Sequence, residues 1–418
     1  MTPASARFQP LRTSLLLQGG LYLLVASIPF EYPDRSIPLE IPTLTGAVFL
    51  LITLLYPRRC YGRVPAAVLW FGAYLAVFLI SLVAGGGDYA IEAISEFVVV
   101  LQGVLVLLAA INLMQEERVA RRSLLTLVAA CSVRAALPFL GLGRTSSAVW
   151  TGGERISALG QNANSAAMIL AAGLIALIGL TLMRSRKSVA AYVIASLLAT
   201  LIGLALLETG SRGGLASLFG GVMVFALAAN TWQQRLRNGV IAALGITLLS
   251  LAILRVPMMK NRLVDSVTTG NMAGREQLYP ALWTMFLERP VLGWGPITNT
   301  QELALRIGER ERPRRAAHNI VLELLTASGL VGAIPFLVGV GLAVRGAWRA
   351  RHGKHGALPL ALLGTLFLAN MSGDWLASKL LWLVIAYACA SGLWRAARRR
   401  PPVRPKPQVV FATAEEGR

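Results

Sequence analysis

Aspartate is nearly missing from this chain. Of its 418 residues only four are Asp (Asp34, Asp88, Asp265 and Asp374), and none falls in a DxD-type motif. HExxH and CxxC pairs are also absent. A carboxylate-bound divalent metal is therefore not expected, and no cofactor is implied. No GxxxxGK[ST] phosphate loop occurs; the nearest Gly-Lys, Gly353–Lys354, runs into His355. There is no GxSxG nucleophile elbow. The three cysteines (Cys60, Cys131 and Cys389) lie in or beside apolar runs, so no disulfide framework is implied. Charge is scarce too. Charged residues make up 14% of the chain, about half the usual soluble share of ~25%. What remains is apolar: 55% hydrophobic residues and a mean hydropathy of +0.61. That excludes disorder, a coiled coil or an ordinary soluble enzyme. The fold class expected is an all-α polytopic membrane protein.

Apolar runs of spanning length predict about twelve transmembrane helices, near 12–30, 41–56, 65–84, 94–114, 123–142, 163–183, 189–207, 212–230, 238–256, 318–344, 357–373 and 379–396. The first has no clean small-residue cleavage site and reads as an uncleaved helix. The chain divides into helices 1–9 (residues 1–256), one large loop (257–317), helices 10–12 (318–396) and a basic tail (397–418). With both termini placed in the cytoplasm, cytoplasmic segments hold twenty-four of the 40 Lys and Arg residues. The short outer loops hold about five: Arg35, Arg144, Arg155, Arg212 and Lys379. This positive-inside asymmetry predicts the orientation. It also explains most of the formal net charge of +20 without invoking nucleic acid.

The large outer loop is basic in spite of its side. Arg306, Arg310, Arg312, Arg314 and Arg315 cluster before the tenth span. Residues 275–289 (REQLYPALWTMFLER) predict an amphipathic helix with Leu278, Leu282, Trp283, Phe286 and Leu287 on one face. Pro280 requires that the helix start near it or kink there. Two readings fit: a structured loop packed on the bundle, or a lid at the membrane surface over an anionic, lipid-linked ligand.

Other polar residues gather on that side. Arg212 lies in ETGSRGGL and Arg275 in AGREQLYP. Asn162 and Asn164 open span six, Asp374 and Lys379 lie in SGDWLASK, and His318 begins span ten. Ionisable groups near membrane depth are costly and default to functional candidates. Arginine presents a planar, permanently charged fork suited to pyrophosphate oxygens. Gly210, Gly213 and Gly214 would let a ligand approach closely, and the start of span eight could add its helix dipole. If a sugar leaves from a polyprenyl pyrophosphate, fixed cations stabilise the developing charge without a metal. A neutral His318 could then take the proton of an attacking hydroxyl. Arg314 and Arg315 beside it would disfavour its protonated form. Asn319 and Glu323 could line the same cavity, with core packing the simpler role for Glu323.

These residues carry a resemblance. TGSRGGL around Arg212, GREQLYPALWTMFLERPVLGWG from Gly274 and HNIVLELLTASGLVG from His318 resemble the bacterial O-antigen ligases. More distantly they resemble O-antigen polymerases and pilin oligosaccharyltransferases of the same superfamily. The resemblance implies a membrane-embedded glycosyltransferase fold in the bacterial inner membrane. It implies metal-independent, inverting transfer of polysaccharide from undecaprenyl pyrophosphate to a sugar hydroxyl of lipid A–core, on the periplasmic side. It makes Arg212 and Arg275 the pyrophosphate ligands and His318 the catalytic base. Asn162, Asn164, Asn319, Asp374, Arg314 and Arg315 are possible substrate contacts. Membrane lipids are the only other partners expected.

Two alternatives stay open. A polymerase or protein O-oligosaccharyltransferase would share the donor and the arginines. A polytopic transporter or flippase would share the span count. Against the latter, the sequence shows no clear internal repeat, and its polar groups gather at one membrane face rather than the midplane.

Overall fold

The computed structural model describes residues 14–31, 40–84, 89–148, 154–184, 188–270, 274–309, 314–373 and 376–399. Asp374, Arg310 and Arg312 lie outside the described residues, as does the tail from 400 onward. The chain is an all-α polytopic membrane protein. Its elements are α1 (Leu15–Ser27), α2 (Ile41–Leu54), the single turn α3 (Pro57–Cys60), α4 (Ala66–Ala84), α5 (Ala90–Met114) and α6 (Glu117–Phe139). A hairpin of β1 (Arg144–Ala148) and β2 (Glu154–Ala158) leads into α7 (Ala163–Leu182), α8 (Val189–Glu208), α9 (Arg212–Leu227) and α10 (Trp232–Arg255). Then come α11 (Pro257–Thr269), α12 (Arg275–Glu288), α13 (Thr298–Arg306), α14 (Ile320–Ala350), α15 (Leu358–Asn370) and α16 (Lys379–Arg399).

Each of the twelve predicted apolar runs falls on one helix. Seven are long and apolar enough to cross a membrane, and five are shorter apolar helices, among them α9 and α15. The short ones pair: α15 packs along α9, and α1 along α2. The centre is aromatic. Phe71 and Tyr74 of α4, Phe336 of α14 and Trp382 of α16 meet edge to face, with centroids 5.2–5.4 Å apart for three of the pairs. Trp382 donates its indole N–H to the Leu376 carbonyl at 2.8 Å. The hairpin, which apolar periodicity did not foresee, pairs Arg144 with Ala158 through Ala148 with Glu154.

The large loop is a small helical unit with its own core. Leu278, Leu282, Met285 and Leu303 are buried together with Ala317. The α12 stripe is therefore narrower than predicted: Met285 joins it, while Trp283 and Leu287 stay at least half exposed. The helix runs through Pro280 from a start at Arg275.

An interlock fixes this unit to the bundle. α14 breaks at Gly329 (φ 60°, ψ −165°), and a broken helix leaves backbone groups without partners. The segment following α12 takes them. Trp294 N donates to Thr326 O at 2.7 Å and Gly295 N to Ala327 O at 3.0 Å. Leu330 N donates to Pro290 O at 2.8 Å and Val331 N to Val291 O at 3.2 Å. Irregular backbone at such depth survives only when protein buries and satisfies it. Glycine is required on both sides, because a Cβ at Gly329 would lie 2.1 Å from Val291 O and one at Gly293 2.5 Å from Thr326 O.

Candidate functional site

Three elements far apart in sequence bring their ends together here. α9 begins at Arg212, capped by the Ser211 hydroxyl, which accepts from Gly214 N at 3.1 Å. Arg212 reaches α11, donating to the Ser266 hydroxyl and to the Arg262 carbonyl. α12 begins at Arg275, whose Nη2 donates to Ser372 O at 3.1 Å in the segment after α15. One turn on, the Tyr279 hydroxyl donates to Met371 O at 2.9 Å and lies 3.5 Å from His318 O. So the first turns of α12 stitch the start of α14 to the end of α15.

His318 precedes α14 with its backbone in the left-handed region, at φ 51°. That conformation costs a non-glycine residue about 1–2 kcal/mol, and strain of this kind clusters at functional sites. Asn319 then caps α14, its side chain accepting from Val321 N and Leu322 N. Burial pushes the His318 imidazole down to about 4, and the charges of Arg275 and Arg315 push the same way. The imidazole is therefore neutral at neutral pH and able to accept a proton.

The positive charge around it is denser than the sequence suggested. Arg155 of β2 donates to the Thr209 backbone carbonyl and to Asn164 Oδ1, both at 2.7 Å. Burial, Arg262 and Arg212, in that order, push Arg155 down to about 10. Arg212 also feels the charge of Arg275. Arg155, Arg212, Arg262 and Arg275 thus form a linked set, with His318 attached through Arg275.

Other expected contacts resolve differently. Asn162 caps α7, accepting from Asn164 N at 2.8 Å. Arg314 turns away to Glu92 at the start of α5, at 2.8 Å, so Arg275 replaces it as a neighbour of His318. Arg315 pairs with Glu309 at 3.4 Å and still acts on His318. Arg306 is clamped between Glu288 and Glu302 and lies over Trp294. Among the described residues, Arg306 and Arg315 are thus tied down within the loop and Arg314 is tied to α5. Gly213 and Gly214 serve packing: a Cβ there would strike the Ser372 hydroxyl and Ala167. Glu323 is buried and accepts from Asn299 at 2.7 Å, the packing role.

The stretch that holds all three central residues also matches a known family: residues 197–337 fit the family model of O-antigen ligase. This part of the chain is thereby similar to the O-antigen ligases. The match covers a third of the chain and includes Arg212, Arg262, Arg275 and His318, whereas Arg155, Asn162 and Asn164 lie before it. No curated protein matches the chain. A cavity of about 240 Å³ lies between α7, α8, α9 and α10, lined by residues such as Leu174, Leu207, Leu218, Val222, Leu249 and Ala252. Its lining is almost wholly apolar and extends to Leu207, five residues before Arg212.

Sequence reasoning missed Arg155, Arg262 and Tyr279 as site residues. Arg155 entered only as one of the few charges in short outer loops. Arg262 carried no signal beyond being an arginine in a basic loop.

Proposed function

We propose that this member of the O-antigen ligase/polymerase class is a ligase. It transfers polysaccharide from undecaprenyl pyrophosphate to a sugar hydroxyl of lipid A–core at the periplasmic face of the inner membrane, both termini being cytoplasmic. The observation that carries this reading is a neutral imidazole with left-handed backbone beside a set of arginines, with an apolar cavity that reaches Leu207, five residues before Arg212. The cavity takes the first isoprene units of the donor. Arg212 and Arg275 hold its pyrophosphate, and the N–H groups at the start of α9 add their dipole. His318 removes the proton from the acceptor hydroxyl as that oxygen attacks the anomeric carbon. The sugar–phosphate bond breaks on the opposite face, which inverts the configuration, and the leaving pyrophosphate gains one negative charge. Guanidinium groups fixed beforehand stabilise that charge, the part a metal ion plays in other transferases. The same charges explain the order of events: His318 is a weak base in the empty site. Arrival of the donor's anionic phosphates offsets Arg275 and Arg315 and raises its basicity.

The pH dependence should record this. The acid limb of kcat/KM reports the free enzyme and should fall near pH 4, as His318 is protonated. The acid limb of kcat reports the donor complex and should lie at higher pH. Coincident limbs, measured by initial rates across pH, would contradict the coupling. Arg212→Lys keeps the charge but loses the fork, and donor turnover should drop at least about tenfold; wild-type rates in purified protein would remove the bidentate role.

The test of the reading itself is to supply purified protein with a polyprenyl-pyrophosphate glycan and, in turn, lipid A–core, a second lipid-linked glycan and a pilin-type acceptor. A glycosylated lipid A–core product, identified by mass, supports the ligase. A lengthened lipid-linked glycan assigns a polymerase, and a modified protein an oligosaccharyltransferase.

A further inference from the structure

The carbonyl of Arg262 receives Arg212, but the surroundings of its side chain call for a further partner. It lies on α11, packed over the turn before α9, where its Cδ comes within 3.4 Å of the Cβ position of Gly210. It is 8% exposed. Its Nε is buried without a hydrogen-bond partner. Among the described residues its guanidinium forms no salt bridge. Its side chain donates to no described residue, whereas Arg134, though its own Nη2 is unpartnered, donates to Gln161 at 2.7 Å and Arg155 has two acceptors at 2.7 Å. A buried guanidinium N–H without an acceptor is costly to leave unsatisfied.

The neighbouring charges make the cost greater. Arg262 feels Arg212 and Arg275 directly, and Arg155 feels Arg262. Among the described residues two carboxylates oppose this set. Asp265 acts on Arg212 and Arg262, and Glu276 acts on Arg212. Asp265 nevertheless keeps one buried oxygen without a hydrogen bond, so it does not form a close pair with Arg262. Among the described residues, four guanidinium groups face two carboxylates, an excess of two positive charges. A pyrophosphate esterified at both ends carries two negative charges. Once the sugar has left, the product carries about one more, with a terminal phosphate rich in acceptor oxygens.

Resting on the donor reading above, we infer that Arg262 is a third arm of the pyrophosphate site, donating to a phosphate oxygen alongside Arg212 and Arg275. The backbone enforces this arrangement. Arg212 reaches the Arg262 carbonyl at 3.4 Å and the hydroxyl of Ser266, which itself donates to that carbonyl at 2.7 Å. The first turn of α9 and the middle of α11 therefore move as one. The carbonyl end of Arg262 positions Arg212, and its guanidinium is left for the ligand.

The test titrates full-length purified protein with undecaprenyl pyrophosphate, and in a separate arm with phosphatidylglycerol, for the wild type, Arg262→Gln and Arg306→Gln. Arg306 is the control, because its guanidinium is held by Glu288 and Glu302. The expected result is at least tenfold weaker binding of the pyrophosphate lipid by Arg262→Gln only, with a shallower salt dependence. Unchanged binding by that variant overturns the inference. An equal loss for both lipids also overturns it, assigning a general headgroup site. Should Arg262→Gln fail to fold, Arg262→Lys decides on the same titration: weaker binding supports the third arm, and wild-type binding removes it. A wild-type protein that binds no undecaprenyl pyrophosphate would sink the donor reading as a whole. That outcome is distinct from one in which only the Arg262 variants behave like wild type.

Discussion

Replacing His318 with Asn should lower kcat for glycan transfer about a thousandfold, while donor binding and membrane insertion stay at wild-type levels. Asn is the informative choice. It is among the residues that enter the left-handed backbone region most readily, so it preserves the φ of 51° at this position. Ala would add a conformational penalty to the chemical loss and confuse the two. What Asn cannot do is accept a proton near neutral pH. Loss of a positioned general base typically costs 10²–10⁴ in rate, and a thousandfold lies in the middle of that range. The binding readout separates a chemical role from a structural one. Arg275 and Arg315, the charged neighbours of His318, remain in place in the variant, so the pyrophosphate should still bind. Transfer within tenfold of wild type would show that proton removal is not its task.

The second large effect is expected far from any reacting atom. Gly329→Ala should break the interlock between α14 and the segment after α12, lowering the melting temperature by at least about 5 °C and abolishing transfer. The new Cβ would lie 2.1 Å from Val291 O, and the φ of 60° adds strain of its own. The four backbone hydrogen bonds across the junction cannot survive the separation needed. Each is worth about 1 kcal/mol, and buried groups left unpaired cost more. Activity should vanish with them because α12, which carries Arg275 and Tyr279, is anchored through this junction. Gly341→Ala in the same helix is the control, since nothing lies within 4 Å of its Cβ position. If Gly329→Ala melts and works like Gly341→Ala, the interlock does not hold the site.

Much of the fold was legible because the bilayer simplifies the code. Every apolar run of spanning length became a helix, including the short α9 and α15. Arg212, Arg275 and His318 were legible as candidates because a charge at the end of an apolar helix is costly and stands out. Arg155 and Arg262 did not stand out. Their meaning depends on a hairpin and on α11, which place them beside Arg212 through tertiary structure alone. Arg314 shows the opposite error. It lies four residues before His318, but nearness in sequence is not nearness in space here. The chain from Arg314 to Ala317 is non-helical and His318 is left-handed. No helical face joins the two residues, and the guanidinium goes to Glu92. The helix break at Gly329 escaped notice because a lone glycine in an apolar run is common, and only its partner segment reveals the purpose.

The most direct measurement is a cryo-EM structure of His318→Asn with bound glycan-pyrophosphate-undecaprenol. Pyrophosphate density is expected in contact with Arg212 and Arg275, with the lipid chain entering the cavity by Leu207 and the anomeric carbon facing residue 318. Density for the pyrophosphate in another pocket, with Arg212 and Arg275 still bonded only to protein, would contradict this placement.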